Sequence, residues 1–493
     1  MDNKKIMKKY IVKGLAVAVL AMGGACSDSF LDVEPHAEML PADYFSKDEN
    51  VPVEVVNSIY NKMLDWNQHS FSWMGVSSIS SDDADKGSDP GDTGADKHQL
   101  DDWTFSADAI SFKELWESNY GGIARANQAL LIIPDMTIEE DLKKRLEGES
   151  RFLRAYYYWN LVRMFGGVPK IDKVPDPSNE EDVINGRTRA TEEEIYDLIK
   201  GDLQFAYESL PQVYNSDADL GRATKGAAAT FLAKVNLYQK NFGEVRRLTD
   251  EVIGYGIYGL VDDYATIWRE VGENSKESIF EVQARGVTPA KGIAGYAVSQ
   301  MVRNQLGWGI NTPTQSLLDA YEPGDVRRDA TIIFPGETMW DGVNIIANPP
   351  NPWYNEKAYF SKTLETFEGD WETNKNLRIF RYAEVLLMKA EAENELSNPT
   401  DALKALNEVR LRAKLGKVTE TNQDALRLLI WKERRVELAF EHDRMFDLRR
   451  QGRAGDVMRA HGKDYVDGKH DLFPIPQRQI ELSDGLLKQN PNY

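Results

Sequence analysis

The stretch from Glu149 to Pro169, ESRFLRAYYYWNLVRMFGGVP, constrains the fold more than any other part of the chain. Phe152, Leu153, Ala155, Tyr156, Tyr157, Tyr158, Trp159, Leu161, Val162, Met164 and Phe165 would cover nearly every face of one helix. A helix that is apolar all round is a buried helix. This one is too short and too rich in Arg and Tyr to span a bilayer. Its arginines, Arg151, Arg154 and Arg163, must therefore find acidic partners inside the protein or snorkel to its surface. Gly166, Gly167 and Pro169 end the helix sharply.

More amphipathic helices follow from the spacing. Residues 49–66 and 103–131 carry helical periodicity, and 140–256 reads as a run of helical hairpins. Thr191 with Glu194 three residues on is a capping box. Residues 379–396 and 400–413 form a further pair, and 424–450 closes the series. Antiparallel pairs about 34 residues apart, with Ala where helices cross, resemble tetratricopeptide repeats. The expected fold is all-α: a tetratricopeptide-like scaffold over about 140–256 and 379–450. A loop-rich insert at 257–378 interrupts it, and a C-terminal segment, 451–493, follows. The insert holds Gly, Pro, Asn and aromatics with little periodicity, and loops on a rigid scaffold carry function.

The N-terminus reads as a processing segment. Lys4, Lys5, Lys8, Lys9 and Lys13 precede the short apolar run LAVAVLAM and the small residues Gly23, Gly24 and Ala25. The chain's one cysteine, Cys26, stands at the cleavage point. A plain signal peptide with an incidental Cys is the simpler reading, but a sole thiol at this place favours a lipoprotein signal over 1–25 with Cys26 lipidated. An acidic tether, 26–44, would lead into a single domain at 45–493. One cysteine excludes intrachain disulfides and Cys-based metal sites. The net charge is −20; residues 1–25 carry five Lys and one Asp, so the remainder carries −24. That field disfavours nucleic acid and a broad contact with anionic lipid.

Candidate chemistry is sparse. Gly254-Tyr-Gly256-Ile-Tyr-Gly259 matches a dinucleotide-binding pattern but follows a helix, so it reads as a helix end and turn. Glu433, Glu437 and Glu441 could line one helix face; paired carboxylates can do glycosidase work, given a suitable gap between the two groups. Arg434, Arg435, Arg444, Arg449 and Arg450 surround them and would depress their pKa values, which favours a salt-bridged helix. The Ser/Asp/Gly-rich stretch 77–102 is expected as a long loop. Its Asp82, Asp83, Asp85, Asp89 and Asp92 could hold Ca²⁺, though without EF-hand spacing; a solvated surface for a polar ligand fits better. Trp66, Trp73, Trp103, Trp308, Trp340, Trp353 and Tyr354 lie in or beside loops. Flat rings match the apolar faces of sugars, and neighbouring amides and carboxylates match the edges. About two or three of these aromatics are expected to touch ligand and the rest to anchor the core.

Six stretches together are specific: 149–169, GRATKGAAATFLAKVNLYQKNF (221–242), RYAEVLLMKAEAENEL (381–396), ALNEVRLRA (405–413), ERRVELAFEHDRMFDLRRQGR (433–453) and FPIPQRQIELSDGLLKQNPNY (473–493). With CSDSFLDVEP (26–35), they resemble the SusD/RagB family from Cys26 to the last residue. Gly23 in the lipobox and Asn492 before the final Tyr depart from the family pattern. The resemblance implies a lipid-anchored outer-membrane protein of Bacteroidetes-type bacteria, exposed at the cell surface. It would capture oligosaccharides, or in some members peptides, for a SusC-like TonB-dependent transporter, without catalysis and without a cofactor. By region, it points to the loop after the first helices and to the insert. The candidate ligand contacts are Trp73, Asp83, Lys86, Trp103, Trp308, Trp340, Trp353 and Tyr354. A surface glycosidase and a pure interaction scaffold are the rival readings.

Overall fold

The computed structural model describes residues 51–493, except 90, 93, 348–350, 370 and 371. The expected signal segment, the lipidation site Cys26 and the tether lie outside these residues. Ten helices define the framework used below: α1 (Val51–Lys62), α2 (Ile110–Ile132), α3 (Glu140–Phe165), α4 (Glu192–Ser209), α5 (Lys225–Tyr238), α6 (Phe242–Gly254), α7 (Tyr296–Gln300), α8 (Tyr382–Glu395), α9 (Pro399–Arg412) and α10 (Gln423–Glu437). Among the described residues the strands are short and pair only in twos: β1 (Ala84–Gly87) with β3 (Ile310–Pro313), β2 (Ser278–Val282) with β6 (Leu377–Arg381), and β4 (Ile332–Ile333) with β5 (Tyr354–Asn355), besides Phe367–Gly369 with Glu372–Thr373. Among the described residues no helix is long and apolar enough to cross a membrane.

The long helices pack as a chain of antiparallel neighbours: α2 on α3, α3 on α4, α4 on α5, α5 on α6, α6 on α8, and α8 on both α9 and α10. The helical array is thus continuous in space where the sequence is interrupted, because α6 and α8 meet directly across the 257–378 insert. This is the expected tetratricopeptide-like scaffold. The capping box at Thr191 forms, with Glu194 N–H donating to Thr191 Oγ1 at 3.2 Å and Thr191 N–H to Glu194 Oε2 at 2.7 Å. Gly256, in the left-handed conformation, turns the chain out of α6, so the glycine pattern there is a helix end.

Three expectations change. The 77–102 stretch is ordered, with a π-helical turn at Gly75–Ile79, then β1, then a helix over Ala95–Asp102. The insert contains α7 and several short strands, so its lack of periodicity reflects elements too short to show a period. Residues 377–381 leave the helical pattern to pair with β2, and the helix starts only at Tyr382.

Helix α3 is the core, buried throughout from Phe152 to Phe165. Its arginines Arg151, Arg154 and Arg163 all find acidic partners inside the protein. Arg163 reaches Asp443 at 3.0 Å. Arg154 and Arg151 meet Asp202 of α4, at 2.7 and 3.3 Å. The glutamate row differs from expectation. Helix α10 ends at Glu437, and Glu441 sits beyond it in a turn where Phe440 and His442 have positive φ. Glu437 accepts from Arg327 at 3.0 Å, from Arg381 at 3.1 Å and from Arg412. Glu433 meets Arg327 at 2.6 Å and Arg410 at 2.8 Å; Glu441 meets Arg381 at 2.7 Å and Lys357 at 2.8 Å. Burial pushes the Glu437 carboxyl up, but Arg412, Arg381, Arg327 and Lys357 together hold it far below the usual range. It stays ionised and has no proton to give, so this row does not suit general-acid work.

Removing one member of a buried ion cluster strands the others. Glu437→Gln is therefore expected to lower unfolding stability by about 3–5 kcal/mol, measured by urea denaturation; an unchanged midpoint contradicts the assignment. His69 and His442 are both buried. His69 bonds Met63 O and Tyr156, and His442 contacts Ser77 and Tyr296, with Asp443, Glu441 and Lys357 nearby. Burial depresses their pKa values to about 4 and about 3. The unfolded state takes up these protons first, so their contribution is complete above the unfolded value of about 6.5 and is lost as pH falls toward the folded values. Stability is expected to fall by about 2 kcal/mol per histidine between pH 7 and 5. Denaturant titrations at these two pH values check this, and His442→Gln should remove one share of the slope.

Candidate functional site

Strands β1 and β3 bring the two regions singled out in the sequence into contact. Ala84 faces Pro313 and Gly87 faces Ile310, and Ser88 N–H donates to Gly309 O at 2.6 Å. The turn between α7 and β3 carries Gly307-Trp308-Gly309. Trp308 N–H donates to Val298 O at 3.0 Å and Gly309 N–H to Met301 O at 2.8 Å, so the backbone under the indole is fixed to α7. Gly309 has φ +67°, and a Cβ there would lie 2.8 Å from Arg303 Cβ; only glycine fits. Trp308 is consequently held outward, 37% exposed.

Two further rings meet it. Trp66 opens the short helix Trp66–His69 and Phe71 opens the next, Phe71–Met74. Both rings are partly exposed. The Trp66 and Trp308 centroids lie 6.1 Å apart, Trp66 and Phe71 5.9 Å, and Phe71 and Trp308 6.4 Å. The interplanar angles are 54°, 31° and 84°, so the rings form a curved cradle and not a flat stack. Polar groups rim it. Arg303 donates to Ser88 Oγ and lies 3.5 Å from the exposed carboxylate of Asp89. Lys97 Nζ stands 4.7 Å over the Phe71 ring while bonded to Asp96 and Ser111. A curved set of rings with a polar edge suits an extended ligand that has apolar faces and hydroxylated edges. A separate cleft of about 440 Å³ lies against the 212–222 segment, lined by Val213, Leu220 and Ile257 and by the partly buried Tyr214 and Tyr258, and Tyr214 donates to Ala223 O at 2.9 Å.

Of the eight candidate ligand contacts, only Trp308 lies in the cradle, beside Trp66 from the wider set of loop aromatics. Trp73 is buried, stacked on Phe446 at 5.8 Å with the Arg163 guanidinium over its ring. Trp103 is buried, stacked on Phe473, and donates its Nε1–H to Ser80 O at 3.0 Å. Asp83 accepts from Arg435 Nε at 2.7 Å in the interior, and its neighbour Asp82 accepts from Arg444. Burial alone would raise the Asp82 pKa, but Arg444 and Arg435 bring it down to about 2. Lys86 is buried with its ammonium on Asp92 and Asp89 O. These four side chains hold the loop together and present no surface to a ligand. The same pairings commit Asp82, Asp83 and Asp92 of the carboxylates considered for Ca²⁺, while Asp85 and Asp89 are exposed, and among the described residues no group of three or more His, Cys, Asp or Glu could hold a metal ion. Trp353 packs part-buried against a core cluster with Leu317, Tyr321 and Phe440, and Tyr354 is fully buried. Trp340 is half-buried, edge-on to Tyr359, with Arg269 over one face at 4.5 Å. Phe71 and Arg303 are absent from the sequence reading, while Trp66 is among its loop aromatics but not among its candidate ligand contacts; no local signal marks Phe71, a ring among polar residues in WNQHSF just beyond α1.

The comparisons with known proteins agree with this architecture. Residues 276–493 match the family model described as SusD family, and residues 29–237 match one described as starch-binding and associating with the outer membrane. SusD-like protein P2 of Formosa agariphila is 28% identical, over 99% of this chain and 100% of its own. A laminarin-binding SusD-like protein superposes with TM-score 0.77 at 27% identity, covering 91% of this chain and 100% of its own. Surface glycan-binding protein A from Bacteroides fluxus superposes with TM-score 0.77 at 29% identity, covering 90% and 100%. The two family matches, the full-length relatives and the shared helical fold together place this chain in the SusD/RagB family.

Proposed function

We propose that this protein is a cell-surface glycan-binding lipoprotein. It captures oligosaccharide on the Trp66–Phe71–Trp308 cradle and passes it to a SusC-like TonB-dependent transporter. The observation that carries the reading is the cradle itself: three non-parallel rings, partly exposed, on a backbone locked by α7 and the β1–β3 pair. Ring faces contribute affinity by covering the C–H faces of sugars, and the rim groups Arg303 and Asp89 select among hydroxyl patterns. Binding, not turnover, is the activity. Relatives described as binding laminarin and surface glycans support the glycan class. The family description supports association with the outer membrane, and Cys26 as the lipid-bearing residue rests on the sequence alone. The transporter partner rests on the family resemblance.

Isothermal titration calorimetry of the mature chain against laminarihexaose, maltohexaose, cellohexaose and mannohexaose tests this. At least one is expected to bind, and Trp308→Ala should weaken it about thirtyfold, on the order of 2 kcal/mol. Binding of peptides but none of these glycans, or equal affinity in Trp308→Ala, contradicts the reading.

A further inference from the structure

Directly behind Trp308 the structure holds a group of polar atoms that satisfy one another poorly. Asn351 is 1% exposed and Tyr354 is 0% exposed. The Tyr354 hydroxyl lies within reach of the Asn351 side chain and of the Arg303 backbone, but neither it nor Asn351 Oδ1 or Nδ2 makes a hydrogen bond of good geometry. Both side chains abut the residue after Trp308: a Cβ on Gly309 would lie 3.3 Å from Asn351 Nδ2 and 3.1 Å from Tyr354 Cε1. Two residues further along β3, Asn311 Oδ1 is unpaired as well.

This is not a loosely built corner. Gln300, fully buried at the end of α7, accepts from Asn311 Nδ2 and from Asn355 Nδ2, each at 2.8 Å, and donates to Tyr296 O at 3.0 Å. That amide junction pins α7, β3 and β5 together, and with them the backbone on both sides of the unpaired atoms. Buried polar groups are ordinarily paired, and each that is not asks for a reason. Here the donors and acceptors are mixed. An amide N–H is a poor neighbour for a cation, and an amide oxygen is a poor neighbour for an anion; a hydroxyl, which donates and accepts, suits both. Arg303 adjoins this group. The stem of Arg303 crosses Gly309, and its head rests on Ser88 Oγ, on Trp308 O at 3.4 Å and near exposed Asp89 at 3.5 Å. An exposed ion pair returns less than an unpaired buried polar group costs, so a shift of Arg303 that admits a partner is favourable.

We propose that Asn351, with Tyr354, forms a hydroxyl-reading subsite: it takes one hydroxyl of a glycan whose ring stacks on Trp308, and so sets which glycan the cradle accepts. The proposal rests on the glycan reading above. The side chain that confers selectivity would then be an interior amide adjoining the ring and not one of the exposed rim charges alone.

The test compares wild type, Trp308→Ala and Asn351→Leu by calorimetry against the same four hexasaccharides, together with the thermal unfolding midpoint of each ligand-free protein. Asn351→Leu is expected to weaken the preferred hexasaccharide about tenfold and to flatten the preference among the four. Because it replaces an unpaired amide with an apolar side chain of similar size, the ligand-free midpoint should be unchanged or higher. Wild-type affinity and preference in Asn351→Leu overturn the subsite, as does a lowered midpoint with affinity intact, which would mark a purely structural amide. If Asn351→Leu does not fold, Tyr354→Phe is read by the same criteria. Wild type that binds none of the four, or Trp308→Ala that binds as wild type does, brings down the glycan reading itself; loss in Trp308→Ala with none in Asn351→Leu brings down the subsite alone.

Discussion

The buried ion clusters at the end of α10 are what the rest of the structure depends on. Around Glu437 they join Arg327 and Lys357 of the insert, Arg381 of β6 and Arg412 of α9. Around Asp443 they join Arg163 of α3, Lys234 of α5 and, through Glu384, Arg434 of α10. Buried charges are weak evidence of net stability, since desolvation offsets much of the Coulomb gain. Their effect here is specificity: helices α3, α5, α8, α9 and α10, which would otherwise meet through interchangeable Leu and Ala contacts, are given one electrostatic register. The insert packs a core of its own, with Met301, Ile333, Tyr354 and Phe360 buried together, and the same charges tie it to the scaffold.

That tie explains how an irregular segment can carry a defined binding surface. Short strands such as β1 and β3 have too few ladder bonds to be stable alone. They are stabilised because Asp82 and Asp83, just before β1, are clamped by Arg435 and Arg444, and because Arg327 and Lys357 fasten the insert beyond β3. Positioned that way, α7 and β3 hold Trp308 beside Trp66 and Phe71. The scaffold contributes rigidity and the insert contributes the ligand-facing ring, a division common where loops on a fixed frame carry function.

The sequence made the scaffold legible because its signals are local. Helical spacing, the Thr191 capping box and the glycine stops each act within a few residues. The site was legible only by region. Trp73 and Trp103 sit among polar residues in the chain, yet Phe446 and Phe473, hundreds of residues away, close over them. Asp83 and Lys86 look solvated in a Ser/Asp/Gly-rich stretch, and only the fold supplies Arg435 to one and turns Asp92 back on the other. Phe71 gave no signal of its own, since its role depends on a tryptophan brought to it by a β pairing between residues some 225 apart in number. Local chemistry sorts helix from loop; it does not say which loop aromatic is inside.

The central claim is that the three-ring cradle is where glycan binds. A crystal structure of the mature chain with the tightest-binding hexasaccharide tests it most directly. The account predicts a sugar ring laid on the Trp308 indole, with the chain curving across Trp66 and Phe71 and a polar edge toward Arg303. A well-ordered hexasaccharide bound elsewhere, with the Trp66, Phe71 and Trp308 rings uncontacted, would contradict it.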